Sequence, residues 1–163
     1  MNYYCNPLNI EYKYRVQKNM DHITSVYREA ADPSLILFKD LYYLFPSMTA
    51  GFLTSKNLIH WEFHEFLSEM PIEDYAPDVR VIGEYMYFSA SKRNENCNFY
   101  RTKDPLTEPF EEIIGTFPFW DPHLFQDDDG RVYFYWGCSN VTPIYGVEMD
   151  PETMKPLTEP HVM

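Results

Sequence analysis

A chain of 163 residues, 45% hydrophobic and 18% aromatic, has the material for one domain with a sizeable core, which argues against disorder. Thirteen lysines and arginines against twenty-five aspartates and glutamates leave a net charge of −12, which repels a phosphate backbone and an anionic membrane surface and so excludes nucleic acid and membrane as partners. Cys5, Cys97 and Cys138 have no short pairwise spacing, so they read as reduced thiols rather than a disulfide framework or a zinc site.

Residues 1–29 are polar and aromatic without clear periodicity, and read as an arm or capping segment with a short helix. Met1 to Pro7 has neither a basic start nor an apolar stretch, so no secretory signal is read there and the expected location is the cytoplasm. No apolar run approaches the roughly 20 residues of a spanning helix. Asn140-Val141-Thr142 fits the glycosylation pattern, which without export carries no consequence.

From Ala30 onward turn signals recur every 8 to 12 residues or so, at Lys39-Asp40, Ser55-Lys56-Asn57, Gly83-Glu84, Lys92 to Asn96, Lys103-Asp104-Pro105, Asp128-Asp129-Gly130 and Asp150-Pro151. Between them lie β-branched and aromatic runs, and the prolines break any longer helix, so the expectation is an antiparallel all-β protein. Asp127-Asp128-Asp129-Gly130 reads as a hairpin turn, since the bidentate glutamate of a calcium loop is missing. His60 and His64, four apart, would share a face of a helix, but in a strand they are polar positions and hold no metal.

The β-rich runs repeat. Asp32-Pro33, Ala76-Pro77-Asp78 and Asp121-Pro122 each precede a strand-like run, at intervals of roughly 45 residues, and each run carries a tyrosine pair near its far end: Tyr42/Tyr43, Tyr85/Tyr87 and Tyr133/Tyr135. Units of that length containing several short strands are propeller blades, expected over about 30–70, 71–118 and 119–163. Propellers close with about four to eight blades. Three leave two flat faces open, so the chain either belongs to a longer protein or associates, with itself or a complementing chain, through those faces.

If Asp32, Asp78 and Asp121 hold equivalent places, propeller geometry brings three carboxylates around one axis. Paired carboxylates are what glycoside hydrolysis needs, one ionised to activate water and one protonated to assist the leaving group. The competing role for each is a turn cap beside proline. Trp120 and Phe119, adjoining Asp121, are candidates to stack on a sugar ring, with core packing as the alternative; His123 and Arg80 could bond sugar hydroxyls or serve the turn.

Taken in order, Ala31-Asp32-Pro33-Ser34, Tyr75-Ala76-Pro77-Asp78 and Trp120-Asp121-Pro122-His123-Leu124-Phe125, followed by Asp127-Asp128-Asp129-Gly130-Arg131-Val132-Tyr133, resemble the first three blades of glycoside hydrolase family 43, over about 30–157. That family comprises β-xylosidases, α-L-arabinofuranosidases and arabinanases. The resemblance implies a partial five-bladed β-propeller and inverting hydrolysis of xylose- or arabinose-containing oligosaccharides, without cofactor or metal. Asp32 matches the general base and Asp121 the aspartate that orients the acid and keeps its pKa raised. Asp78, Trp120, Phe119 and His123 are expected to bind substrate. The family's general acid is a fourth-blade glutamate, usually before glycine; this chain has no Glu-Gly pair, and Glu148, Glu152 and Glu159 fall in the outer third blade or tail. Trace activity at most is therefore expected. The alternatives are a non-catalytic carbohydrate-binding remnant and a half-propeller completed by another chain.

Overall fold

The computed structural model describes residues 10–12, 16–18, 24–26, 30–70, 75–91, 96–114, 118–138 and 143–163. These contain strands and turns and no helix, hence none long and apolar enough to cross a membrane. Twelve of the strands form three four-stranded antiparallel meanders: β3(Ser34–Phe38), β4(Leu41–Phe45), β5(Gly51–Ser55) and β6(Glu62–Glu65); β7(Tyr75–Ile82), β8(Tyr85–Ser91), β9(Phe99–Thr102) and β10(Glu111–Ile113); β11(His123–Gln126), β12(Val132–Trp136), β13(Tyr145–Met149) and β14(His161–Val162). In each sheet neighbours in sequence are neighbours in space, as in a propeller blade. The arm departs from expectation. Its described strands, β1(Val16–Lys18) and β2(Thr24–Val26), pair antiparallel where a short helix was read.

Tight turns set the hairpin registers. Lys39 and Asp40 both take positive φ, 49° and 63°, which gives the two-residue β3–β4 connection the left-handed pair that matches strand twist. The Asp127–Gly130 segment closes the β11–β12 hairpin, with Gly130 at φ 87° and its N–H donating to the Asp127 carbonyl at 2.9 Å. Asp129 there pairs with Arg131 at 2.7 Å.

Burial follows the blade order. In β12 the residues alternate, with Val132, Phe134 and Trp136 buried and Tyr133 and Tyr135 half-buried, as expected for a sheet covered on one face. In β8 every residue after Tyr85 is buried, because the second blade is sandwiched between the other two. Two cores result. Tyr43, Phe45 and Phe52 of the first blade meet Val79, Met86, Phe88, Tyr100 and Phe110 of the second. Tyr87, Cys97 and Phe99 of the second meet Phe119, Leu124, Val132, Phe134 and Trp136 of the third. Phe45, fully buried, stacks on Phe52 at 5.1 Å and meets Phe110 edge-on at 6.4 Å, geometry that adds roughly 0.5–1.5 kcal/mol per ring pair beyond area burial. Parts of the outer faces are apolar and open: Leu35 and Leu37 are 48% and 56% exposed on the first blade, where Leu53 on the same face is buried, and Phe125 and Ile144 are 43% and 52% exposed on the third.

Candidate active site

The phase of the repeat is set by X-Pro dipeptides. Asp32, Ala76 and Asp121, each immediately before a proline, have nearly the same left-handed φ: 44°, 43° and 47°. A residue before proline is ordinarily extended, and one at positive φ is held there at a cost of about 1–3 kcal/mol. The neighbouring blade supplies part of the restraint. Ser47 Oγ accepts the Ala76 N–H at 2.8 Å, and Ser91 Oγ accepts the Asp121 N–H at 3.1 Å. Ser47 and Ser91 each lie just past or at the end of their blade's second strand, so one serine contact recurs at both blade seams.

The expected equivalence of three aspartates is thereby corrected. Ala76, not Asp78, matches Asp32 and Asp121, and Asp78 matches Ser34 and His123, the register partners facing the second strand's end. Its chemistry matches Ser34's too. Ser34 Oγ accepts the Val79 N–H at 3.0 Å, 45 residues away, and Asp78 Oδ2 accepts the Leu124 N–H at 2.8 Å, 46 residues away. Each ties the first strand of one blade to that of the next.

Asp78 is 6% exposed, and its other oxygen is also engaged, by Arg80 Nη2 at 2.9 Å with His123 Nδ1 at 3.6 Å. Arg80 in turn donates to the Leu124 carbonyl at 3.1 Å and to His123 Nδ1 at 2.9 Å. Burial raises the Asp78 pKa, opposed by the Leu124 N–H, Arg80 and His123. Facing protein partners on both oxygens, Asp78 is placed in the seam of the second and third blades rather than toward a ligand. Phe119 also stands elsewhere than expected: at 2% exposure its ring packs on Phe134 at 4.9 Å and Phe99 at 5.8 Å, leaving no face for a sugar.

Asp32 and Asp121 are both exposed, and both open the first strand of their blade, so antiparallel alternation puts them at the same end. They belong to blades one and three, with a whole blade between them. The Asp121 carboxyl is nevertheless raised, first by partial burial and then by the charge of Asp32. Trp120 is half-buried beside Asp121 and fixed through its carbonyl, which accepts the Gly137 N–H at 2.8 Å. His123 remains exposed on one side, with its ring 6.5 Å from Tyr135.

Ser47, Ser91 and Arg80 are the functional neighbours that the sequence left unassigned or weakly weighted. A signal was there for the serines, which recur at roughly the blade period. Among the described residues no group of three or more His, Cys, Asp or Glu could hold a metal. His64 lies in β6, its Nε2 2.8 Å from Thr54 Oγ1, and His60 precedes that strand.

The sequence profile of glycosyl hydrolases family 43 matches residues 26–163. Comparison with curated proteins gives no match. Among solved structures, an exo-1,5-α-L-arabinanase from a bovine ruminal metagenomic library superposes with a TM-score of 0.63 at 23% identity, covering 83% of this chain and 55% of that one. An arabinanase of Bacillus subtilis gives 0.62 at 15% identity, over 83% and 57%. A xylan β-1,4-xylosidase of Bacillus halodurans gives 0.61 at 19%, over 82% and 32%. The chain thus spans little more than half the length of the first of these, and the likeness fixes the fold as three blades of a five-bladed propeller.

Proposed function

The chain belongs to glycosyl hydrolase family 43, and from that premise we propose that it carries the base and modulator half of an inverting site for xylose- or arabinose-containing oligosaccharides. What supports this reading is the placing of Asp32 and Asp121 at the same end of blades one and three, each left-handed before proline at the start of a first strand, with the Asp121 pKa raised by burial and then by the charge of Asp32. Asp32 takes the proton of a water attacking the anomeric carbon from the face opposite the leaving group. Asp121, with its raised proton affinity, orients the proton donor and holds that donor's pKa up by its own charge when ionised. Trp120 offers a half-buried indole edge to the sugar beside it.

The donor itself we place in a further carboxylic acid brought to the same end of the propeller. Glu148 lies on β13, two strands out from the axis, and Glu152 and Glu159 lie beyond that strand, which is why none of them is given the role. Reduced thiols, with Cys97 buried against the Phe119 carbonyl at 3.7 Å and Cys138 exposed, suit the cytoplasm, in which we place the protein.

The test is a carbon-detected NMR titration of the Asp121 carboxyl in the wild-type chain and in Asp32→Asn. Removal of the Asp32 charge lowers the Asp121 midpoint. An unchanged midpoint would separate the two carboxylates and remove the shared site.

A further inference from the structure

At the other end of the blades from Asp32 and Asp121, the outer strands of the first blade and a loop of the second enclose a cleft of about 460 Å³, within the roughly 300–1,000 Å³ range of small-molecule sites. Its place follows from the meander. Leu41 begins β4, Ser55 ends β5, Glu62 begins β6 and Leu106 follows β9, and alternating strand directions put all four at the end opposite the starts of β3 and β11. We propose that this cleft is a second binding site, for a neutral saccharide chain, separate from the axial carboxylates and independent of hydrolysis.

Three observations carry it. The first is a fixed aromatic wall. Trp61 lines the cleft half-buried, with its indole N–H donating to the Leu58 carbonyl at 3.2 Å, so the ring is held in one orientation. Leu41 and exposed Leu106 add apolar lining. A flat rigid ring suits the C–H face of a sugar ring and costs little side-chain freedom on binding.

The second is a loop that is over-determined. Leu58 holds a positive φ of 63° without being glycine. Ser55 Oγ accepts the Leu58 N–H at 2.8 Å, and Asn57 Oδ1 accepts the N–H groups of Ile59 at 3.0 Å and His60 at 2.9 Å. With its oxygen so occupied, the group Asn57 has left to offer a ligand is its amide N–H₂, a donor. Strain kept in place by that many bonds preorganises the residues that line the cleft.

The third is balanced polarity. Lys56, His60 and Glu62 line the cleft and take part in none of the ion pairs among the described residues. Glu62 opposes a phosphate or carboxylate ligand and Lys56 opposes a cation. Together with Asn57 they offer donors and acceptors in similar number, which is the demand of a chain of hydroxyls.

The experiment titrates the full chain with xylohexaose and with linear arabinohexaose while following the Trp61 indole N–H by ¹H–¹⁵N NMR. A saturable Trp61 shift with either sugar, kept in Asp32→Asn/Asp121→Asn, is the expected result. Trp61→Ala, read by isothermal titration calorimetry because the NMR probe goes with the ring, weakens binding of the same sugar about fivefold to tenfold, the scale of one lost stacking contact. Glu62→Gln, on an exposed side chain outside the core, weakens it about threefold and guards against misfolding of the tryptophan variant. No Trp61 shift at millimolar sugar overturns the proposal, as does an equal shift with inorganic phosphate. Binding that survives Trp61→Ala and vanishes in Asp32→Asn/Asp121→Asn also overturns it while upholding the axial site.

Discussion

Asp78→Ala tests the seam between the second and third blades. The substitution removes the acceptor of the Leu124 N–H, and Leu124 is 1% exposed, so the donor is stranded away from water at a cost of about 1–3 kcal/mol. It also removes the carboxylate facing Arg80, whose side chain is 34% exposed and so rehydrates, for a further loss of about 0–1 kcal/mol. The sum, about 1–4 kcal/mol, is a substantial part of the roughly 5–15 kcal/mol that holds a typical domain folded. In a chain of this size it lowers Tm by roughly 10 °C. Ser34→Ala at the other seam breaks the corresponding bond to the Val79 N–H, but strands no charge, and costs about 1–2 kcal/mol. Asp78→Ser transplants the first seam's clamp into the second and recovers about half of the loss. Urea unfolding followed by tryptophan fluorescence gives the stabilities, and amide exchange at Leu124 and Val79 gives the local effect. An Asp78→Ala chain within about 0.5 kcal/mol of wild type, or with Leu124 exchange unchanged, would refute the clamp.

Three further outcomes follow from the same geometry. Because the folded-state pKa of Asp121 is raised by burial and by Asp32, its contribution to stability is present below the unfolded carboxyl pKa and is lost as pH rises through the folded value. Asp121→Asn is therefore more stable than wild type at neutral pH and equal to it at pH near 3, checked by paired urea melts; a variant less stable at neutral pH contradicts the raised value. The chain shows trace turnover at most on xylobiose, and aryl pentosides with good leaving groups suffer least, since general acid assistance is worth about 10² to 10⁴ in rate; robust xylobiose turnover lost on Asp32→Ala would place a proton donor within these blades. The open outer faces drive self-association at tens of micromolar, since burying some 400 Å² of apolar surface gains roughly 10 kcal/mol before association costs. Leu35→Lys/Leu37→Glu then shifts sedimentation toward monomer, and a wild-type chain that is already monomeric defeats this expectation.

How far the sequence could be read depended on which interactions leave a periodic trace. Strands, hairpin turns and the roughly 45-residue unit did, because period-2 burial and left-handed turn residues are local: Val132, Phe134 and Trp136 alternate visibly, and Asp127–Gly130 reads as a turn before any partner is known. The arm did not, since three-residue strands such as β1 and β2 are too short to show a period. The aspartates show a subtler limit. Composition brought Asp78 into line with Asp32 and Asp121, but the phase of a blade is set by the residue that must go left-handed before proline, and there the second blade carries Ala76.

A shift of two residues along a strand keeps the side chain on the same face while moving it some 6–7 Å along the blade. That displacement separates two fates for one residue type. Ahead of its strand, Asp121 stays exposed, with its pKa raised by partial burial and by the charge of Asp32; in the strand, Asp78 meets a backbone N–H and a guanidinium from its own seam. Which environment an aspartate enters is decided by the neighbouring blade, whose contacts lie 45 and 46 residues away and leave no mark in the local pattern. The same reasoning explains Phe119 and Trp120. They adjoin in sequence, yet one completes the second core while the other stays half-buried beside Asp121. A sequence motif thus locates the mouth of this site to within a few residues, and the packing of adjacent blades then determines which of those residues a ligand can reach.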